Sequence, residues 1–180
     1  MSLGPTFQIT TAAMSLGHVL LAATEVGVCY IGLGPSEDVL RNDLASKFRF
    51  GRDSGHQPNA ERWLSLVCER VERPTSAAET PPLDLRGTAF QRAVWERLQA
   101  IPVGETRSYQ AIAEDLGRPG ATRAIAGACA RNPVGILVPC HRVVRANGEP
   151  GGYHWGSAIK RALLAREGAI PNQSSEASSC

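Results

Sequence analysis

The stretch NPVGILVPCHRVV, residues 132–144, places a cysteine directly beside a histidine, after an apolar run that ends at Pro139. A thiol becomes a strong nucleophile when a neighbouring group lowers its pKa or removes its proton, and histidine is the usual helper. Adjacent side chains of an extended strand point to opposite faces, so Cys140 and His141 can cooperate only if the chain turns there or a water bridges them. Pro139 favours such a turn.

A histidine that acts as a base also needs a third group to fix its tautomer. The nearest carboxylates in sequence belong to Glu149 and Glu167, and spacing alone does not choose between them. A negative charge in the last turn of a helix, where Glu167 is expected, is unfavourable and therefore indicates a specific partner. The alternative is that Cys140 is inert, because a free cysteine is usually a small buried hydrophobe.

The cysteine count argues against a disulfide framework and against a cysteine-rich zinc site. The cysteines are odd in number, widely spaced and never arranged as CxxC: Cys29, Cys68, Cys129, Cys140 and Cys180. Frameworks and zinc sites require even numbers or paired spacings. We therefore expect free thiols.

Composition and charge limit the class of protein. The chain has 180 residues, of which 43% are hydrophobic and 20% charged, as in ordinary globular proteins. It has neither the roughly 20-residue apolar run of a membrane span nor an export signal, so we predict a cytoplasmic protein with no membrane partner. Residues 86–168 carry 12 basic and 6 acidic side chains, against 7 and 10 in residues 1–85. The second half is the part suited to a polyanion.

The first half has the pattern of a small α/β domain. FQITTAA, HVLLAAT and GVCYIGLG are alternating or β-branched segments that predict a strand meander, and SEDVLRNDLASKF and AERWLSLVCERV predict helices. Trp63, Val67 and Val71 form one buried stripe on the second helix. RFGRDSGHQPN is expected to be a loop, and ERPTSAAETPP has the composition of a linker. We predict three units: a domain over 1–84, a mainly α domain over 85–168 and a disordered tail over 169–180.

The second half predicts a series of helices. In GTAFQRAVWERLQAIP, Thr88 stands three residues before Gln91, which is a capping box. SYQAIAEDLG and ATRAIAGACARN are short helices joined by a Gly-containing turn, a helix-turn-helix candidate. GILVP is expected to be a short buried strand that delivers Cys140, and SAIKRALLAREG closes the domain with Ile159 and Leu163 facing inward.

The helix ATRAIAGACARN is almost without side chains. Small residues allow a close backbone approach, and composition leaves two explanations open. The helix packs tightly against other helices, or it enters a nucleic-acid groove with Arg123 as its single long side chain.

VPCHRVV, together with SYQAIAEDLG, ATRAIAGACARNP, GGYHWG and KRALLAREG in this order and spacing, resembles the methylated-DNA-protein-cysteine methyltransferases, also called alkylguanine-DNA alkyltransferases. The likeness is greatest to the C-terminal repair domain of the bacterial adaptive-response protein, Ada. It covers residues 85–168, and the first half matches only loosely as the family's small α/β domain. The resemblance implies DNA repair without a cofactor. The alkyl group of O6-alkylguanine, or of O4-alkylthymine, passes irreversibly to a cysteine after the base is flipped through the minor groove of duplex DNA.

The resemblance also implies a role for each matching residue of the reaction centre. Cys140 would accept the alkyl group, His141 would take its proton through a water, and Glu167 would orient the histidine. Tyr109 would help to turn the nucleotide and would donate a hydrogen bond to the flipped guanine. Asn132 would brace the junction between the helix and the active-site segment.

Further matching residues are implied to bind DNA and to form the pocket. Arg123 would fill the gap left by the flipped base. The other implied DNA contacts are Ser108, Thr122, Ala124, Gly127 and Arg131, and the implied pocket residues are Pro139, Val143, Tyr153 and His154. Simpler alternatives remain: Tyr109 as a packed aromatic, Arg123 as a surface side chain or phosphate contact, Asn132 as a helix cap, and Glu167 as a solvated residue of a last turn.

The match departs from the family at one point. Some relatives carry a structural zinc in the first domain, but Thr24 stands where one ligand would fall and Cys29 alone makes no site, so we expect no metal. We expect a monomer that acts on alkylated duplex DNA, either as a stand-alone protein or as one domain of a longer one. Competing functions are a lesion sensor without repair and a cysteine hydrolase that uses Cys140 and His141.

Overall fold

A computed structural model describes residues 6–48, 52–53, 58–75 and 79–170 of the chain. The first half forms a four-stranded sheet in the order β3-β2-β1-β4. The strands are β1 (Thr6–Met14), β2 (Gly17–Ala23), β3 (Val28–Gly34) and β4 (Arg52–Asp53). β1, β2 and β3 pair antiparallel, which confirms the predicted meander, and β4 adds a short parallel edge to β1.

Two helices cover the opposite faces of this sheet. They are α1 (Glu37–Lys47) and α2 (Ala60–Glu72). Alternate residues of a strand face opposite sides. Leu20 of β2 therefore packs in the cluster that contains Leu40 of α1, whereas Leu21 packs with the α2 stripe. That stripe consists of Trp63, Val67 and Val71, all buried as predicted.

The second half is mainly helical, as predicted. Its elements are α3 (Ala89–Gln99), β5 (Arg107–Ser108), α4 (Tyr109–Asp115), α5 (Thr122–Ala130), a 3₁₀ turn (Cys140–Arg142), β6 (Val143–Val144) and α6 (Ser157–Arg166). The capping box at α3 is present, with Thr88 N donating to Gln91 Oε1 at 2.9 Å and Gln91 N to Thr88 Oγ1 at 3.2 Å. β5 and β6 pair in parallel and join the start of α4 to the segment after Cys140.

The prediction of a strand over GILVP is wrong, although the segment is buried as predicted. Only Val134 makes a bridge to β3, and the chain then turns, with Val138 N donating to Val134 O at 3.0 Å. Ile136 adopts a φ of +72°, a left-handed conformation that β-branched residues rarely take. Asn132 explains the turn, because its side chain accepts a hydrogen bond from Val134 N and donates one to Val138 O.

The two halves share a core that is continuous across the sheet and the helices of the second half. β3 links them directly: Val28 N donates to Pro82 O at 2.8 Å and Ile31 N to Pro133 O at 2.9 Å. β3 therefore supports the segment that carries Cys140.

The predicted loop over residues 49–59 lies mostly outside the described residues, apart from β4 and residues 58–59, and so do positions 171–180 of the predicted tail.

Candidate active site and nucleic-acid interface

Cys140 begins the 3₁₀ turn and is buried, with 8% of its surface exposed. Asn132, also buried, donates from Nδ2 to the Cys140 Sγ at 3.2 Å and to Val138 O at 2.7 Å. One amide therefore fixes both the backbone turn and the thiol that follows it. Because the chain turns here, the side chains of Cys140 and His141 are not held on opposite faces as they would be in a strand. Pro139 had favoured such a turn.

His141, the residue after Cys140, forms a buried pair with Glu167. His141 Nε2 lies 2.9 Å from Glu167 Oε1, and the two side chains are 1% and 6% exposed. Because a carboxylate only accepts hydrogen bonds, the contact assigns the proton to Nε2 and leaves a lone pair on Nδ1. Nδ1 is buried and has no hydrogen-bond partner among the described residues. The geometry thus selects Glu167, whereas Glu149 is exposed and pairs at 3.8 Å with Arg145.

Arg142 joins His141 and Glu167 in a cluster that no sequence pattern predicted. Its Nε donates to Glu167 Oε2 and its Nη2 to Oε1, both at 2.9 Å, while Nη1 donates to Ile101 O at 2.6 Å. Burial alone would raise the pKa of Glu167, but the hydrogen bonds from His141 and Arg142 outweigh it and hold that pKa at about 2. Glu167 is therefore a fixed negative charge, and not a solvated residue of a last turn.

The protonation states of Cys140 and His141 follow from their burial. Burial lowers the pKa of His141, and the hydrogen bond to Glu167 only partly opposes it. Burial likewise raises the pKa of the Cys140 thiol, opposed by the Asn132 hydrogen bond and the positive charge of Lys160. At neutral pH the site therefore holds a neutral thiol and a neutral imidazole, and the imidazole is able to accept a proton.

A cavity of about 450 Å³ opens onto the thiol. Its wall consists of Tyr109, Ala126, Cys129, Ala130, Cys140, Arg145, Gly151, Gly152, Tyr153 and His154. The volume falls in the range of small-molecule sites. The hydroxyl of Tyr153 is buried without a hydrogen-bond partner among the described residues, so it is a polar group held at this wall. Of the predicted pocket residues, Tyr153 and His154 line the cavity, whereas Pro139 and Val143 are buried and do not belong to its wall.

Lys160 is the second residue that sequence reasoning missed. Its side chain is completely buried, with Nζ donating to Val143 O at 2.6 Å and lying 6.0 Å from the Tyr109 ring centre. Burial lowers the pKa of Lys160. A signal was available, because Lys160 lies three and four residues before the buried Leu163 and Leu164, on the inward face of α6.

The helices α4 and α5 form the predicted pair joined by a turn. Ser108 caps α4 by accepting a hydrogen bond from Ala111 N, and Gly117 adopts a φ of +66° after the helix ends. Thr122 Oγ1, at the start of α5, donates to Gln110 Oε1 of α4 at 3.1 Å. Ser108 and Thr122 therefore have structural roles beside their implied contacts to DNA.

One face of the bare helix α5 packs in the core, as the first explanation of its composition requires, and the other face is exposed. Ile125, Ala128 and Cys129 face the core, while Arg123 and Ala124 are exposed. Gly127 is half-buried, and Arg131 folds back along the helix to donate to Gly127 O at 3.2 Å. Ala126 and Ala130 stand in the cavity wall, so the exposed face of α5 continues into the cavity.

The described ranges contain no cluster of three or more His, Cys, Asp or Glu side chains that could hold a metal ion. Thr24 donates instead to Asp84 Oδ2 at 2.8 Å, and the Cys29 Sγ donates to Ala22 O at 3.3 Å. Burial raises the pKa of Cys29 to about 12. None of the helices in the described ranges has the length and apolar character to cross a membrane.

Comparison with known proteins agrees with this geometry. Residues 89–169 match the family model described as 6-O-methylguanine DNA methyltransferase, DNA binding domain. The chain is 42% identical over 159 residues to the bifunctional transcriptional activator/DNA repair enzyme Ada of Escherichia coli K12, covering 87% of this chain and 44% of the relative. It is 38% identical over 156 residues to a methylated-DNA-protein-cysteine methyltransferase of Methanosarcina acetivorans, covering 86% of this chain and 94% of the relative.

A solved structure gives the same result for the fold. The crystal structure of Mycobacterium tuberculosis OGT in complex with DNA superimposes with a TM-score of 0.72 at 33% identity, over 91% of this chain and 93% of the other. The chain spans about half the length of the curated relatives that match it first, 44% of one and 52% of another. Because the match to the Methanosarcina relative covers 94% of that protein at 38% identity, and the solved structure has the same fold, the chain belongs to the methylated-DNA-protein-cysteine methyltransferase family.

Proposed function

We propose that the protein repairs alkylated DNA by direct reversal of the damage. It transfers the alkyl group of O6-alkylguanine in duplex DNA to the Cys140 Sγ, once per molecule. One observation carries the proposal: a thiol in the wall of a 450 Å³ cavity is followed along the chain by a histidine held by a buried carboxylate. A nucleophile with an oriented base is the arrangement that activated cysteines need.

The transfer step balances with the groups at the site. The sulfur of Cys140 forms a bond to the alkyl carbon, and the bond from that carbon to O6 breaks. The thiol proton passes to Nδ1 of His141 through a water, and the imidazolium that results is stabilised by Glu167. The released guanine anion takes up one proton to restore the normal base, and His141 returns its own proton to solvent.

Burial supports a mechanism in which the thiolate forms only when substrate is bound. The pKa of Cys140 is raised by burial, so the thiol is protected from reaction in the absence of DNA. Tyr109 remains a phenol, because burial raises its pKa to about 12, and it lines the same cavity. It is therefore able to donate a hydrogen bond to O6 or to a ring nitrogen as negative charge develops on the guanine.

The surface around the cavity supports a duplex substrate. The exposed face of α5 carries Arg123 and small side chains, and two of its alanines, Ala126 and Ala130, continue into the cavity wall. Small side chains let a helix approach the floor of a minor groove closely, and a flipped base would then enter beside the helix. The relative crystallised in complex with DNA supports the same class of partner.

We also propose the organisation and setting of the protein. Residues 1–84 would support the pocket and residues 85–168 would bind DNA and accept the alkyl group, as a monomer. The protein would act in the cytoplasm, where its DNA substrate lies, and would be associated with the nucleoid when it is bound to DNA. Light scattering of the protein in solution tests the monomer, since a mass near twice 19.2 kDa would contradict it.

The test of the function is the intact mass of the protein after it is mixed with duplex DNA that carries one O6-methylguanine. We expect a gain of one methyl group, saturating at one per protein, and peptide mapping should place it on Cys140. Undamaged duplex and Cys140→Ser should show no gain. Cys129→Ser removes the other thiol of the cavity wall and should still gain the methyl group.

Two results would overturn parts of the proposal. Tight binding to damaged duplex without any mass gain would indicate a lesion sensor. Methylation of Cys129 in place of Cys140 would show that the acceptor is wrongly assigned.

A further inference from the structure

The outer wall of the cavity is supported by the first half of the chain. Residues 151–156, the rim loop, contribute Gly151, Gly152, Tyr153 and His154 to the cavity wall. The next residue, Trp155, packs edge-on against Tyr30 of β3, with ring centres 6.3 Å apart. Trp155 and Tyr30 both pack closely over Gly32 of β3. A Cβ at that position would lie 3.0 Å from the Trp155 ring and 2.5 Å from the Tyr30 hydroxyl.

Asp43 of α1 connects this support to the cavity. Its Oδ1 accepts a hydrogen bond from His154 Nε2 at 2.9 Å, and its Oδ2 accepts one from the Tyr30 hydroxyl at 2.8 Å. The Asp43 side chain is only 18% exposed, and Lys47 Nζ lies 4.0 Å away in the next turn of α1. Both carboxylate oxygens are therefore occupied, one by the rim loop and one by the sheet.

The Tyr30 end of this connection is rigid. Tyr30 is completely buried in β3, and burial together with the neighbouring Asp43 raises the pKa of its phenol, so the hydroxyl stays a donor. The His154 ring is held from a second side by Trp155, edge-on with ring centres 4.5 Å apart. His154 itself is 36% exposed, so without Asp43 its ring has room to turn outward.

We infer that Asp43 is a specificity-determining positioning residue of the first domain, which limits the size of alkyl group that reaches Cys140 by holding His154 in the cavity wall. The inference rests on the proposed function. A methyl group occupies little of the cavity beyond the base that carries it. A benzyl group extends farther from O6 than a methyl group and so comes closer to the wall, in which His154 is one of the exposed residues.

The test compares single-turnover rate constants for O6-methylguanine and O6-benzylguanine in the same duplex. Asp43→Ala should raise the benzyl-to-methyl ratio about five- to tenfold, with the methyl rate constant nearly unchanged. Tyr30→Phe should raise the ratio by a smaller factor, because His154 keeps its partner. Asp38→Asn is the control on the same helix, since Asp38 is exposed at the first turn of α1, and it should leave the ratio unchanged.

A double-mutant comparison separates a role through His154 from a general loosening of the domain. His154→Ala should raise the ratio by itself, and adding Asp43→Ala to it should change the ratio no further. An Asp43→Ala effect that persists in the His154→Ala protein would overturn the inference, as would an unchanged ratio. A misfolded fraction lowers the amplitude of a single-turnover reaction but not its rate constant.

The rate measurements distinguish a wrong inference about Asp43 from a wrong proposed function. If the unmodified protein transfers no methyl group to Cys140, the proposed function is wrong. If it transfers the methyl group but Asp43→Ala leaves the ratio unchanged, only the role of Asp43 is wrong.

Discussion

The guanidinium of Arg142 binds both carboxylate oxygens of Glu167 at 2.9 Å, and His141 donates to one of the same oxygens. Arg142 and Glu167 are each 6% exposed in their side chains, so this is a buried ion pair on which the histidine depends. Arginine keeps the carboxylate ionised, and the ionised carboxylate fixes which nitrogen of His141 carries the proton. The orientation of His141, the proposed base, therefore depends on Glu167 and Arg142, neither of which lines the cavity.

Glu167→Gln should slow alkyl transfer. Glutamine keeps the shape of the side chain but loses the charge, and its amide is able to donate to His141 and so favour the wrong tautomer. We expect a fall of about 10²- to 10³-fold in the single-turnover rate constant, within the roughly 10²- to 10⁴-fold that general acid-base catalysis contributes, because the change disables His141 as the base. Rapid quenching of the reaction with methylated duplex gives the rate constant.

Glu149→Gln is the matched control, because Glu149 is the other carboxylate near the Cys-His pair in sequence and is exposed. It should transfer at the rate of the unmodified protein. A normal rate in Glu167→Gln would mean that His141 does not need the carboxylate.

Arg142→Met should destabilise the fold strongly. The change leaves Glu167 as a buried charge held by His141 alone and removes the hydrogen bond to Ile101 O. Breaking one partner of a buried ion pair costs about 3–5 kcal/mol. Urea denaturation measures the free energy of unfolding, and Arg161→Met, at an exposed position of α6, should change it by less than about 0.5 kcal/mol. Equal losses in the two variants would show that the pair adds nothing specific.

Acid should remove the contribution of Glu167 to stability. The folded pKa of about 2 lies below the ordinary value of 4.5, so the carboxylate stabilises the fold fully above pH 4.5. That contribution, on the order of 3 kcal/mol, is lost as pH falls toward 2. Urea denaturation between pH 6 and pH 3 should show a shallower loss in Glu167→Gln than in the unmodified protein. Parallel curves would mean that Glu167 titrates normally.

The transfer rate should depend on the protonation of His141. Burial lowers the pKa of His141 below its ordinary 6.5, so the neutral base persists at pH 6.5 and is lost only under more acidic conditions. We expect a rate constant that does not fall between pH 8 and pH 6.5 and that declines below it. Single-turnover measurements in buffers of constant ionic strength check this, because salt alters DNA binding. A decline that begins above pH 7 would place the His141 pKa higher than burial allows.

Much of the fold could be predicted because its signals are local. Strand alternation predicted the three-stranded meander, the stripe from Trp63 to Val71 predicted α2, and the pair Thr88 and Gln91 predicted the start of α3. Each pattern spans fewer than about 15 residues and reflects a single element. The prediction of a strand over GILVP failed because the side chain of Asn132 hydrogen-bonds the backbone two and six residues later and replaces strand pairing with a turn, which the apolar pattern does not reveal.

The geometry of the proposed reaction centre was predictable in part. Cys140, His141 and Glu167 followed from a motif and a family resemblance, and the geometry brings the last two together. Arg142 and Lys160 were missed because long charged side chains are expected at the surface, and only tertiary structure reveals that partners from other elements allow their burial. The contact between Asp43 and His154 joins residues 111 positions apart, which no local pattern encodes.

Arg123→Ala should weaken repair of duplex DNA without changing the chemistry. Arg123 is exposed on α5 at the proposed DNA surface, so its loss should leave stability unchanged but remove the side chain that is proposed to fill the gap of the flipped base. We expect a fall of roughly tenfold or more in the second-order rate constant with methylated duplex, as for the loss of about 1–3 kcal/mol of binding. The free base O6-benzylguanine needs no flipping, so its rate of reaction with Cys140 should be the same in both proteins. Arg161→Ala controls for the lost charge, and equal losses with duplex and free base would show that Arg123 acts on the pocket and not on DNA.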